Sequence, residues 1–89
     1  DWICLSPKQS APADNNIYAL AGELKMIISE ESDFLWAEEC AGKISATCEL
    51  YLQPEWSVYN KILDRIVEYI KRNPKWKVSL QAHKFMHIP

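Results

Sequence analysis

Cys48-Glu49-Leu50-Tyr51-Leu52-Gln53-Pro54-Glu55-Trp56-Ser57 opens as an apolar run and closes on a polar cluster. The run predicts a strand over Thr47 to Leu52, and Ser57 predicts the N-cap of a helix over residues 58–72. Within that helix Val58, Tyr59, Ile62, Leu63, Ile66, Val67 and Ile70 recur at helical spacing and form one apolar stripe. Lys61, Asp64, Arg65, Glu68 and Lys71 cover the other side. Asn73-Pro74 stops the helix, because Pro cannot continue the ladder and Asn tolerates a left-handed C-cap. Trp76-Lys77-Val78-Ser79-Leu80 then reads as another strand. A strand, a helix and a strand in this order require a parallel crossover, which is right-handed in nearly all proteins.

The same alternation extends toward the N-terminus. Asp33 or Ser32 can accept from the first amides of a helix over residues 34–44, with Leu35, Trp36, Cys40 and Ile44 on its inner side and Glu38 and Lys43 outside. Leu24 to Ser29 is an apolar, β-branched run and predicts a strand. Ile17 to Gly22 fits one or two helical turns. Pro7, Pro12 and their polar neighbours make residues 6–16 a loop, and Trp2 to Leu5 is a first strand. The predicted class is α/β: about four parallel strands alternating with helices, one part of an incomplete (βα) barrel or wound sheet.

With 89 residues the chain makes one small domain, and 48% apolar content with balanced charge makes it globular rather than disordered. Asp1 leads straight into a strand, which predicts a piece of a longer protein. A net charge of −2 argues against a nucleic-acid-binding surface. No segment has the length of a membrane span, and no signal peptide is visible. Cys4, Cys40 and Cys48 have no disulfide, zinc or iron–sulfur spacing and read as reduced, buried thiols of a cytosolic protein. Two glycines in all argue against a backbone phosphate cradle of the Rossmann kind, and no other catalytic motif is present.

In parallel α/β folds ligands bind at the carboxyl ends of strands. Three strand ends here carry polar clusters. Ser6-Pro7-Lys8 offers a hydroxyl and an ammonium for a carboxylate or ribose, against the plainer reading of a turn with a solvated lysine. Gln53-Pro54-Glu55-Trp56 offers an amide, an aromatic plane for an adenine and a helix start, against a βα loop lidded by Trp56. Gln81-Ala82-His83-Lys84 puts Gln81 and His83 on one face of an extended chain, against a structural or solvated His. Lys25, inside an apolar run, either snorkels at an edge or points into a polar barrel interior. Glu30, Glu31 and Asp33 read as a solvated loop and helix start rather than a metal site.

The ordered set Ser6-Pro7-Lys8, Glu23-Leu24-Lys25, Leu52-Gln53-Pro54 and Asn73-Pro74-Lys75-Trp76 leading to Leu80-Gln81-Ala82-His83-Lys84 resembles the C-terminal half of the 7-carboxy-7-deazaguanine synthases. These are radical S-adenosylmethionine enzymes of queuosine and deazapurine biosynthesis. The resemblance implies an incomplete barrel of strand–helix units and conversion of 6-carboxy-5,6,7,8-tetrahydropterin to 7-carboxy-7-deazaguanine with loss of ammonia. A [4Fe–4S] cluster would cleave S-adenosylmethionine reductively, and the 5′-deoxyadenosyl radical would take a hydrogen from the substrate, with Mg²⁺ assisting. By the same resemblance Ser6, Pro7, Lys8, Gln53, Pro54, Glu55 and Trp56 line the S-adenosylmethionine site. The terminal carboxylate of Pro89 would contact the pterin, with His83 close by.

The family's CxxxCxxC cluster motif has no counterpart in these residues. The resemblance therefore places the cluster and Mg²⁺ ligands upstream of Asp1, makes residues 1–89 a single C-terminal partial-barrel segment, and leaves the isolated chain inactive. It further implies a cytoplasmic homodimer served by an electron-donating reductase, with no nucleic acid or membrane as partner. A radical-activating protein that acts on a polypeptide shares the partial barrel and is the second enzyme reading. A non-catalytic α/β interaction module is the third.

Overall fold

A computed structural model describes residues 3–7 and 15–80. Among them the elements run β1 (Cys4–Leu5), α1 (Asn15–Leu20), β2 (Glu23–Ile28), α2 (Ser32–Ala41), β3 (Glu49–Pro54), a 3₁₀ turn (Trp56–Val58), α3 (Tyr59–Arg72) and β4 (Trp76–Val78). The strands form one parallel sheet in the order β1-β2-β3-β4. That order separates two architectures. A doubly wound sheet reverses direction part-way along, whereas a barrel adds each strand beside the last.

Helix placement agrees with barrel winding. Leu24, Met26 and Ile28 of β2 and Leu50 and Leu52 of β3 share one core with Phe34, Ala37 and Cys40 of α2 and Ile62 and Ile66 of α3. Tyr18 of α1 enters the same core, and its hydroxyl lies 3.3 Å from the Cys40 Sγ. All three helices therefore pack on one face of the sheet. The other face, carrying Glu23, Lys25, Ile27, Glu49, Tyr51 and Gln53 by strand alternation, has no described helix against it. The α/β class, the four parallel strands and the alternation with helices stand as the sequence implies, in a form consistent with a partial βα barrel.

Several local expectations are corrected. The inner side of α2 is Phe34, Ala37 and Cys40, while Leu35 is 75% exposed and Trp36 is half-buried. Phe34 turns inward because its ring stacks on Tyr69 at 4.4 Å between centroids. Glu38 consequently sits at the core boundary rather than in solvent. It accepts from Lys75 Nζ at 2.6 Å, from Trp76 Nε1 at 2.9 Å and from the Tyr69 hydroxyl, tying α2 to α3 and β4. Burial pushes the Glu38 pKa up, but the three donors and the Lys75 charge outweigh it, and the net shift is down.

The caps also differ. Asp33 Oδ2 accepts from Ser29 N, Ser29 Oγ and Glu30 N, so it closes the β2–α2 loop behind the helix instead of capping α2. Ser57 is not a cap: Glu55 occupies that place, accepting from the Ser57 amide at 3.1 Å and from its hydroxyl at the head of the 3₁₀ turn. Asn73 ends α3 with φ −133°, not a left-handed conformation, and its Nδ2 donates to the Tyr69 carbonyl. β3 runs on to Pro54, because Gln53 and Pro54 stay in register with Ile27 and Ile28. β4 ends at Val78, short of the predicted Leu80.

The cysteines are free, but only Cys40 is buried; Cys48 is half-buried and Cys4 is exposed, donating to Glu23 Oε2 at 3.2 Å. Burial raises the pKa of Cys4 and Cys48, with Glu23 adding to both, and burial likewise raises that of Cys40. Among the described residues no helix is long and apolar enough to cross a membrane.

Candidate functional site at the strand ends

The uncovered face is ordered in rows by strand register. Cys4, Glu23 and Glu49 form the first row. Lys25, Tyr51 and Lys77 form the next. Ile27 and Gln53 follow, with Ser79 Oγ 3.5 Å from Gln53 Oε1. The face thus carries carboxylates toward the amino ends of the strands, cations at mid-height and an amide near the carboxyl ends. Lys77 is held by Glu49 at 3.2 Å and lies 5.9 Å from the centre of the Tyr51 ring. Glu31, on the loop beyond β2, is tied to α3 by a bidentate pair with Arg65 at 2.7 and 2.8 Å.

At the carboxyl ends of β1, β2 and β3 a cleft of about 390 Å³ opens between Ser6, Pro7, Ile27, Ser29, Asp33, Trp36 and Glu55. Strand ends at one level of a parallel sheet converge in this way because all strands run in the same direction. Two carboxylates, two hydroxyls and an indole wall suit a ligand that donates hydrogen bonds and carries a flat ring. The Trp36 Nε1 beside this cleft is enclosed and has no hydrogen-bond partner among the described residues.

The cleft brings Ser6, Pro7 and Glu55 together, three of the residues singled out in the sequence. The Glu55 carboxylate also serves as the cap for Ser57, which fixes its position. Gln53 is 6% exposed and belongs, just below, to the face with no described helix over it. Pro54 is buried and falls by alternation on the helix-packed side. Trp56, 41% exposed, lines a separate groove of about 530 Å³ with residues 57–61. Lys8, Gln81, His83, Lys84 and Pro89 lie outside the described residues. Sequence reading missed Ile27, Ser29, Asp33 and Trp36 at the cleft. Ile27 and Ser29 share strand parity with Lys25, and that was the available signal.

Among the described residues no group of three or more His, Cys, Asp or Glu side chains is placed to hold a metal ion. Cys4 lies on the uncovered face, Cys40 is in the core and Cys48 lies at the entry to β3.

No family model matches the chain. Individual proteins do. A 7-carboxy-7-deazaguanine synthase of Flavobacterium psychrophilum is 47% identical over 89 residues, covering 100% of this chain and 42% of the relative. One of Synechocystis sp. is 47% identical over 88 residues, covering 99% of this chain and 42% of the relative. The chain resembles the 7-carboxy-7-deazaguanine synthases. A third synthase, of Prochlorococcus marinus, is 33% identical over 105 residues, with 99% of this chain and 46% of the relative covered. The chain spans less than half the length of these synthases, so the likeness covers a barrel-type segment with a polar cleft and not a whole enzyme.

Proposed function

We propose that this chain is the S-adenosylmethionine- and substrate-binding C-terminal part of a radical enzyme that makes 7-carboxy-7-deazaguanine from 6-carboxy-5,6,7,8-tetrahydropterin. The observation that carries this reading is 47% identity along the entire chain to a synthase of that product. The polar cleft at the strand ends is the second support, since its acceptors and indole wall fit a nucleoside.

The residues present fit S-adenosylmethionine and do not fit a [4Fe–4S] cluster. Ser6 and Ser29 offer hydroxyls, Asp33 and Glu55 offer acceptors for ribose hydroxyls, and the Trp36 ring offers a wall for adenine. Gln53, one step down the uncovered face, has an amide that can pair with a purine or pterin edge. No three cysteines among the described residues are grouped as a [4Fe–4S] cluster requires. On this reading the cluster and Mg²⁺ ligands lie in the part of the protein outside this chain. When bound, the cluster and S-adenosylmethionine supply the radical that starts the ring contraction. This chain's own residues bind, orient and shield. Three donors on Asp33 Oδ2 hold its carboxylate in place before a ligand arrives.

On this reading the whole protein is a cytoplasmic homodimer that draws electrons from a reductase, and the 89-residue chain alone is inactive. His83 and the Pro89 carboxylate would contact the pterin. A chain-end carboxylate suits the guanidine-like edge of a pterin.

The test is made on the full-length gene product, reconstituted with iron and sulfide without oxygen and supplied with a reductant. Formation of 7-carboxy-7-deazaguanine from the carboxylated tetrahydropterin is the expected result. Cleavage of S-adenosylmethionine with no consumption of the pterin would overturn the substrate and point to a radical-activating protein. Failure to bind S-adenosylmethionine at all would leave an interaction module.

A further inference from the structure

Three lysines stand on or beside the sheet, and two have partners. Lys75 pairs with Glu38 at 2.6 Å, and Lys77 with Glu49 at 3.2 Å. Lys25 is half-buried in the middle of β2 and makes no hydrogen bond or ion pair among the described residues. An ammonium that no described carboxylate pairs with directly leaves its donors available to an incoming anion. Its charge is felt across the face: it opposes the burial and the Glu23 carboxylate that raise the Cys4 thiol pKa.

The level of Lys25 on the sheet decides what that anion is. β1 and β2 pair Cys4 with Glu23 and Leu5 with Leu24. One further step of the same register sets Ser6 beside Lys25, and Ser6 lines the cleft. Ile27 lies two residues further along the same face, about 6.6 Å at strand rise, and also lines the cleft. An extended lysine stem covers that distance. The opposite neighbour in register is Tyr51, whose ring carries the Lys77 ammonium on its far side, 5.9 Å from the ring centre.

We propose that Lys25 is the anion-binding residue of this site and takes the carboxylate of a small-molecule ligand at the floor of the cleft. This rests on the functional reading above. Two ligands of that reading carry a carboxylate: the carboxylated pterin or deazaguanine, and the methionine end of S-adenosylmethionine. Both would meet the same ammonium through charge-assisted hydrogen bonds.

Direct binding to the full-length gene product separates them, using titration calorimetry with no turnover. Four ligands are compared: 7-carboxy-7-deazaguanine, 7-deazaguanine, S-adenosylmethionine and its decarboxylated form. Lys25→Met should weaken 7-carboxy-7-deazaguanine by about tenfold to a hundredfold and leave 7-deazaguanine unchanged. A selective loss of S-adenosylmethionine over its decarboxylated form would support the same residue role and assign the other ligand. Lys25→Arg should restore the discrimination. If Lys25→Met fails to fold, Lys25→Gln keeps a polar stem and carries the same expectation.

Equal affinities for each acid and its neutral analogue, relative to the parent protein, would overturn the proposal. So would a lower melting temperature in Lys25→Met with discrimination intact, which would mark a structural ion pair with another part of the protein. If the unaltered protein binds none of the four ligands, the functional reading fails and this inference fails with it. Normal binding by the parent and an indifferent Lys25→Met remove the inference alone.

Discussion

Leu24 and Lys25 are adjacent on β2, yet they belong to two different surfaces. Leu24 is fully buried with Met26, Ile28 and Leu52 under the helices. Lys25 is half-buried on a face with no described helix over it, among carboxylates, a phenol and an amide. Among the described residues the helices pack on one side of the sheet, which divides its residues by parity: even positions of β2 hold the core, and odd positions face the side with no described helix. Substitutions on the two faces should therefore act on different observables. Loss of stability belongs to the packed face, and loss of ligand affinity belongs to the open one.

The sharpest break should come from Trp76, 1% exposed and the largest fully buried side chain. Trp76→Ala opens a cavity against Leu50, its register partner, and removes the indole donor to Glu38. We expect a loss of about 3–5 kcal/mol in urea unfolding of the full-length protein. A loss below about 1 kcal/mol would mean that this corner of the core collapses freely. Next is Glu38→Ala, which strips the shared acceptor from Trp76, Tyr69 and Lys75. An expected loss of about 2 kcal/mol follows from orphaning a buried donor. The pH dependence has a definite sign. The folded pKa of Glu38 lies below its ordinary 4.5. Its stabilisation is thus complete above pH 4.5 and disappears as pH falls through the depressed folded value. Unfolding curves of Glu38→Ala should accordingly converge on those of the parent in acid, and a constant gap across pH would refute the assignment.

How much of this was legible beforehand follows the same division. The strong stripe of α3 and the β-branched runs fix element type and order, because burial periodicity is written directly in the residues. α2 was not legible in its orientation. Leu35 and Trp36 are as apolar as Phe34, and only the Tyr69 ring, 35 residues away in sequence, decides which one turns inward. The role of Glu38 was hidden for the same reason: its donors come from α3, β4 and the residue just before β4. At the site, Ser6, Pro7 and Glu55 stood out because prolines and polar residues end their strands. Asp33 and Trp36 did not, since a helix start with an acidic residue looks the same whether or not a cleft lies beside it.

The open face offers a milder test. Gln53 is 6% exposed, and its side-chain oxygen accepts from Ser79 Oγ through a long contact of 3.5 Å. Replacing its amide with an isosteric apolar group removes little that the fold uses. Gln53→Leu should leave the melting temperature within about 2 °C of the parent and weaken S-adenosylmethionine about tenfold, the worth of one buried hydrogen bond to a ligand. Unchanged affinity would remove Gln53 from the ligand site. A large drop in melting temperature would move it to the packed side of the comparison, against its parity.

The smallest effect belongs to neither face. Arg65 binds Glu31 through two short contacts and also meets Glu68 at 3.2 Å, yet the side chains of Arg65 and Glu31 are 42% and 62% exposed. Hydrogen bonding from Arg65 lowers the Glu31 pKa. Exposed pairs lose most of their Coulomb energy to water and salt, and holding two long side chains still costs entropy. Arg65→Ala should therefore shift unfolding less than any change above. The shift should vanish in 1 M salt, where the screening length falls to about 3 Å. A shift that survives high salt would mean that the pair fixes the β2–α2 loop mechanically. Asp33 and Ser29 sit in that loop, so S-adenosylmethionine affinity would then fall together with stability, and the division between the two faces would fail at the strand ends.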